Sequence, residues 1–79
     1  MTVMPQLRSA LTSRVIVEQA KGFLREMLGV SVEEAFILLR IYARDSGEHL
    51  TDIARRLMTD RYSRPMLVAA LAELGEGRV

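Results

Sequence analysis

With 79 residues the chain holds one domain and no more. A domain this small buries a modest share of its surface, so its stability alone is marginal and dimerisation is a natural remedy. Hydrophobic residues at 49% and charged residues at 27% describe a globular chain. The absence of Cys excludes a disulfide scaffold, a thiol catalyst and a Cys-based metal site, and it suits a cytoplasmic protein. A net charge of +1 gives no bulk argument for nucleic acid, so any such argument rests on where the basic residues sit. The longest apolar run, Met66 to Ala72, is far short of the ~20 residues that span a bilayer. No apolar signal core follows Arg8. The expected compartment is the cytoplasm, with no membrane partner.

Residues 1–6 read as a short tail ending at Pro5. From Leu7 to Leu28 no Pro intervenes, and Val17, Ala20, Leu24, Met27 and Leu28 recur on one helix face. Leu7, Leu11 and Val15 form an earlier stripe, with Ile16 and Phe23 as a shoulder. Gly29 supplies a stop. Ser31 followed by Glu34 is a capping box, which starts a second helix over Val32 to Arg44. Its expected core face is Val32, Ala35, Phe36, Leu39 and Ala43. Ile37, Leu38, Ile41 and Tyr42 make it apolar nearly all round, the mark of a helix in the middle of something. Asp45-Ser46-Gly47 ends it.

A third helix is predicted from His49 to Thr59 on the stripe Leu50, Ile53, Ala54, Leu57 and Met58, with Asp52 favourably placed near its start. Asp60 to Arg64 is a turn. Pro65 opens a fourth helix, Pro65 to Leu74, capped by Ser63 or Arg64 and closed by Gly75 and Gly77. Met66, Leu67, Ala70, Leu71 and Leu74 make its stripe. No period-two strand pattern occurs. The expected class is all-α: a long N-terminal helix, a possible coiled-coil dimer segment, followed by a compact three-helix unit with an extra short C-terminal helix. The first helix outruns the bundle, and Leu7, Leu11 and Val15 need cover. A homodimer through that segment provides it, and a fourth helix folded back over it is the alternative.

Enzyme chemistry finds little support. His49 is the only His, and no acid or nucleophile stands at a fixed spacing from it. Glu33 and Glu34 are neighbours on a helix and do not face each other. No Gly-rich phosphate loop follows a strand. The expectation is a non-enzyme with no cofactor, no metal and no small-molecule substrate. Basic residues carry more. Arg14, Lys21 and Arg25 share one side of the first helix, with Glu18 near enough to pair with any of them. Arg40 and Arg44 are one turn apart on the second, and Arg55 and Arg56 adjoin on the third. Such stripes either converge into one phosphate-binding patch or remain solvated faces with local ion pairs. Gly22, inside a strong helix pattern, costs roughly 1 kcal/mol against Ala and marks either tight internal packing or close approach of something else.

The run Ser13-Arg14-Val15-Ile16-Val17-Glu18-Gln19-Ala20-Lys21-Gly22 resembles the signature of the ANTAR family, in which "SR", apolar residues and "EQAKG" stand in a row. Ser31, Glu34-Ala35-Phe36, Leu39-Arg40 and Ala43 resemble the family's second helix, and Leu50 with Asp52-Ile53-Ala54 its third. The resemblance covers Leu11 to Thr59 and implies an RNA-binding unit over residues 7–59, followed by a C-terminal extension over 60–79. It implies a transcription antiterminator that binds leader RNA with two small hairpins and so disfavours the terminator. By position it implies RNA contacts from Arg14, Gln19, Lys21, Gly22, Arg40 and Arg44. Arg14, Lys21, Arg40 and Arg44 would hold phosphates or stack on loop bases, Gln19 would meet a base edge, and Gly22 would permit close approach. Ala20, Ala35, Ala43 and Ala54 read as close-packing positions. Family members usually carry a sensor domain before this unit. Here only a short tail precedes it, which leaves a fragment, a stand-alone form, or a sensor protein acting in trans.

Two rival readings use the same residues. Leu50 to Leu57, a turn and a further helix also fit a helix-turn-helix that binds DNA. The recognition helix would then offer Met66, Val68, Ala69, Ala72 and Glu73, which lack the Arg, Gln or Asn that read base edges. A protein-docking module without nucleic acid is the other.

Overall fold

A computed structural model describes residues 3–77, with side chains from residue 13 onward. Four helices follow one another: α1 (Val3–Leu28), α2 (Val32–Ser46), α3 (Leu50–Thr59) and α4 (Arg64–Gly77). The described residues contain no strand, and the all-α expectation holds.

The helix ends show how local chemistry sets the bounds. Helix α1 begins at Val3, inside the expected tail, because Pro5 is its third residue, where a missing N–H costs nothing. At 1.5 Å per residue its 26 residues span about 39 Å. Gly29 ends it in the left-handed region at φ 68°, donating to the Arg25 carbonyl at 3.0 Å. Ser31 caps α2, its Oγ accepting from the Glu34 amide at 3.0 Å. Gly47, at φ 71°, closes α2 in a Schellman turn: Glu48 N–H donates to Ala43 and Gly47 N–H to Arg44. The helix therefore runs two residues past the predicted Arg44. His49 precedes α3 and makes no side-chain cap.

The α3–α4 turn is built on Asp60. Its carboxylate accepts from Ser63 Oγ at 2.8 Å, from Tyr62 N–H at 3.0 Å and from Ser63 N–H at 3.3 Å. Arg64 rather than Pro65 opens α4, and Pro65 is its second residue, again where no donor is needed. The predicted stop at Gly75 is passed, and α4 continues to Gly77. A Cβ at Gly75 would stand 3.5 Å from Leu38 Cδ1, so the helix is packed on α2 there. Tertiary packing outweighs the poor helix propensity of Gly.

One core joins all four helices: Ala20 and Leu24 of α1, Ala35, Leu38 and Leu39 of α2, Ile53, Ala54 and Leu57 of α3, and Leu67 and Leu71 of α4 are fully buried. Three of the four close-packing alanines are thus fully buried, and Ala43 packs at the edge. Helix α4 contributes Leu67 and Leu71 to this same core, and Leu74 packs against it. Several expected core residues do not reach it, Val32 and Ala70 among them. Met27 is 55% exposed although Leu28 beside it packs against the core, so Met27 lies on the outer side of α1, and Met66 is 63% exposed in the first turn of α4. The buried face of α2 is also rotated from the expected one, centring on Ala35, Leu38 and Leu39. Phe36 moves to the edge and Ile37 and Ile41 stay half-exposed. Val15 is 53% exposed, so α4 does not fold back over it. The side chains of Leu7 and Leu11 lie outside the described residues.

Candidate nucleic-acid interface

The basic stripes of α1 and α2 meet at one aromatic ring. Lys21 Nζ lies 4.9 Å from the centroid of Phe36, and Arg40 Cζ lies 5.8 Å from it. Both distances suit cation–π attraction to the ring's quadrupole. Phe36 and Arg40 are one turn apart on α2, while Lys21 crosses from α1. The Lys21 stem packs closely enough to leave its side chain only 16% exposed, with its ammonium 3.0 Å from Glu18 Oε2. Glu18 thus pairs with Lys21, and no ion pair from it to Arg14 or Arg25 forms among the described residues.

Arg40 and Arg44 continue along α2 as exposed side chains. With Phe36, Ile37, Ile41 and Leu50 they line a depression of about 410 Å³. Arg44 makes one long ion pair to Asp45 at 3.8 Å, and Arg40 has no acidic partner among the described residues. Arg14 and Gln19 lie apart from this groove. They share a shallow depression of about 430 Å³ on the open side of α1 with Val15 and Glu18. Glu18 links the two areas, lining the second while pairing with Lys21.

Gly22 is exposed, and a Cβ built on it would meet nothing within 4 Å. Tight internal packing is therefore not its reason. Three further basic residues divide by role. Arg55 pairs loosely with Asp52 at 4.0 Å. Arg56 turns to Glu48 at 2.6 Å and ties α3 to the α2–α3 connection. Arg64 donates to the carbonyls of Leu57 and Met58 at 2.7 and 3.1 Å and lies 5.7 Å from the Phe23 ring. It caps α3 and braces it on α1. Of the sequence-derived set, the fold brings Lys21, Arg40 and Arg44 together. Phe36, read from the sequence as core, is the residue that joins them; its spacing of four from Arg40 was the available signal.

Asp60 has a displaced acidity. The bonds from Ser63 and Tyr62 hold its carboxyl below the ordinary value of 3.8, with a smaller contribution from Arg56. Among the described residues no helix is long and apolar enough to cross a membrane, and no three His, Cys, Asp or Glu side chains group as a metal site.

The four-helix module thus gathers basic residues of two helices on one aromatic ring. The profile of the ANTAR domain matches residues 5–58, and the chain belongs to that family of transcription-antitermination regulators. A nitrate regulatory protein of Klebsiella oxytoca is 38% identical over 53 residues, which are 67% of this chain and 13% of that protein. The chain therefore spans about an eighth of the length of that curated relative. No solved structure matches it.

Proposed function

We propose that this domain binds leader RNA carrying two small hairpins, holds it in that form, and so prevents the terminator from forming. The observation that carries the reading is the convergence of Lys21 and Arg40 on Phe36. Two cations from different helices are pre-ordered on a rigid ring, with Arg44 one turn further on. Cations so placed meet a phosphate backbone with little further loss of side-chain freedom, and they fix register while unstacked loop bases supply specificity. Arg14, Gln19 and Gly22 extend the surface along α1, Gln19 toward a base edge and Gly22 as the point of closest approach. Two copies joined through the N-terminal half of α1 would present two such surfaces to two hairpins and gain avidity. A sensor, in the same protein or acting in trans, is the proposed source of control, and the cytoplasm the proposed compartment.

The helix-turn-helix reading fits less well. With Leu67 and Leu71 buried, α4 turns Met66, Ala69, Glu73 and Glu76 outward. That face has no donor for a base edge and two carboxylates that repel phosphate.

The deciding measurement is binding to a synthetic two-hairpin RNA beside duplex DNA of equal length, over a salt series. Loop-dependent RNA binding should weaken with salt, with log K falling by about 0.7 per phosphate contact for each decade in single-stranded regions. Equal affinity for RNA and DNA, or unchanged RNA affinity in Lys21→Glu, would remove the proposal. Sedimentation with and without RNA reads the dimer.

A further inference from the structure

Helix α2 is apolar nearly all round, yet only the side bearing Ala35, Leu38 and Leu39 enters the core. The opposite side leaves Ile37 and Ile41 half-exposed next to Arg40 and Arg44. A helix packed on one face ordinarily turns polar residues outward. Here two β-branched aliphatic side chains, one turn apart, instead floor a groove that Phe36 and Leu50 complete. Its volume of about 410 Å³ sits at the low end for small-ligand pockets.

We infer that this groove is a slot for one unstacked nucleobase of a single-stranded RNA loop, an inference that rests on the RNA-binding reading above. The lining chemistry selects the occupant. The floor is apolar and suits the face of a planar ring. The two charged side chains in the lining are guanidinium groups, and no carboxylate lines the groove. Guanidinium planes stack on bases and donate to the flanking phosphates, which no neutral apolar partner would use. Arg40 is held toward Phe36 and stands beside the slot. Arg44, with a side chain 79% exposed and one long ion pair, is free to swing over a seated base. The slot thus separates the roles on α2: Ile37 and Ile41 contact the base, Arg44 covers it, and Arg40 meets the phosphate beside it.

The chain carries its own controls for a test. Its four isoleucines are Ile16, Ile37, Ile41 and Ile53. Ile53 is fully buried and Ile16 packs against the core from α1. With isoleucine methyls labelled for NMR, a purine seated in the slot shifts the Ile37 and Ile41 methyls upfield by its ring current and leaves Ile53 in place. The probe is a synthetic hairpin with a purine-containing loop, beside the same hairpin made abasic at each loop position in turn. One abasic position should abolish the methyl shifts and cost roughly tenfold in affinity. Ile41→Ala and Arg44→Ala should each weaken binding of the intact loop by a larger factor than binding of that abasic loop. The exposed Arg44 variant keeps the test valid if Ile41→Ala folds poorly. RNA binding with unmoved Ile37 and Ile41 methyls at every loop sequence overturns the slot and leaves the RNA reading standing. No RNA binding at all overturns both. Ile37 and Ile41 shifts that depend on protein concentration without RNA assign the groove to a second copy and overturn the slot.

Discussion

Lys21 reaches across from α1 to place its ammonium nitrogen 4.9 Å from the centre of the Phe36 ring on α2. The ring also faces Arg40 at 5.8 Å, so one aromatic side chain orders two cations from two helices. Phe36→Leu keeps the apolar volume and removes the quadrupole. At about 0.5–1 kcal/mol each, the two cation–π contacts are worth about 1–2 kcal/mol together, so RNA affinity should fall roughly five- to thirtyfold. Phe36→Tyr retains the ring and should bind nearly as the parent does. Leu and Tyr variants that bind equally well would show that the ring does not position the cations.

Glu18 makes a second prediction because it holds Lys21 from the other side, at 3.0 Å. Glu18 is 60% exposed, so the pair is screened by water and contributes little to stability. Its carboxylate nevertheless opposes an approaching phosphate. Glu18→Gln should therefore raise RNA affinity several-fold at low salt, and the gain should fade above about 0.15 M, where the Debye length falls to roughly 8 Å. Weaker binding in Glu18→Gln would mean that Glu18 serves to aim Lys21.

Much of the fold was legible because helix starts and stops are local chemistry. Ser31 with Glu34 marked the start of α2, and Gly29 and Gly47 marked two ends, each by a mechanism confined to a few residues. Gly75 misled because contact with Leu38 across the bundle outweighs its local preference. The rotation of α2 was hidden for the same reason: a helix with apolar residues all round does not announce which side is buried. The basic residues were visible as stripes, but their convergence depends on how α1 crosses α2. Phe36 looked like core since an aromatic at a core-edge position has the same spacing as one inside. Arg64 gave no sequence signal of its task, which exists only once α3 and α4 are folded together.

That task gives a stability prediction. The Arg64 guanidinium donates to two carbonyls at the end of α3, where helices leave acceptors unpaired and a positive charge is favourable. Charge-assisted bonds of this kind are worth roughly 2 kcal/mol when lost together with the stack on Phe23. Arg64→Ala should lower Tm by on the order of 10 °C, and Arg64→Lys should fall between, keeping the charge without the fork. Since Arg64 lies away from the Lys21 cluster, RNA affinity measured well below Tm should be unchanged. A Tm loss under about 2 °C, small on the scale expected for one kcal/mol, would show that water replaces these bonds readily.

Asp60 supplies the pH dependence. Its carboxyl is held below 3.8 by the bonds from Ser63 and Tyr62. A depressed acid favours the folded state where it is ionised, so its contribution is complete above the ordinary value and is lost as pH falls through the lowered one. Thermal melts of the parent and Asp60→Ala should differ most at neutral pH. The two curves should draw together below about pH 3.8, the ordinary carboxyl value. A difference that stays constant from pH 6 to pH 2.5 would place the effect of the substitution elsewhere than in the ionised carboxylate.

Gly22 separates stability from binding most sharply. It sits inside α1 with no neighbour within 4 Å of a built Cβ, and its φ is not positive. Nothing within the described chain requires Gly there, so Ala should fit without strain and stabilise the helix by about 0.5–1 kcal/mol. Tm should rise by roughly 4 °C. If an RNA backbone passes closest to α1 at this point, the added methyl keeps it away, and affinity should fall while Tm rises. Opposite signs from one substitution cannot come from damage to the fold. Should Gly22→Ala raise Tm and leave RNA affinity untouched, Gly22 lies outside the interface, and contact along α1 is then confined to the stripe of Arg14 and Lys21.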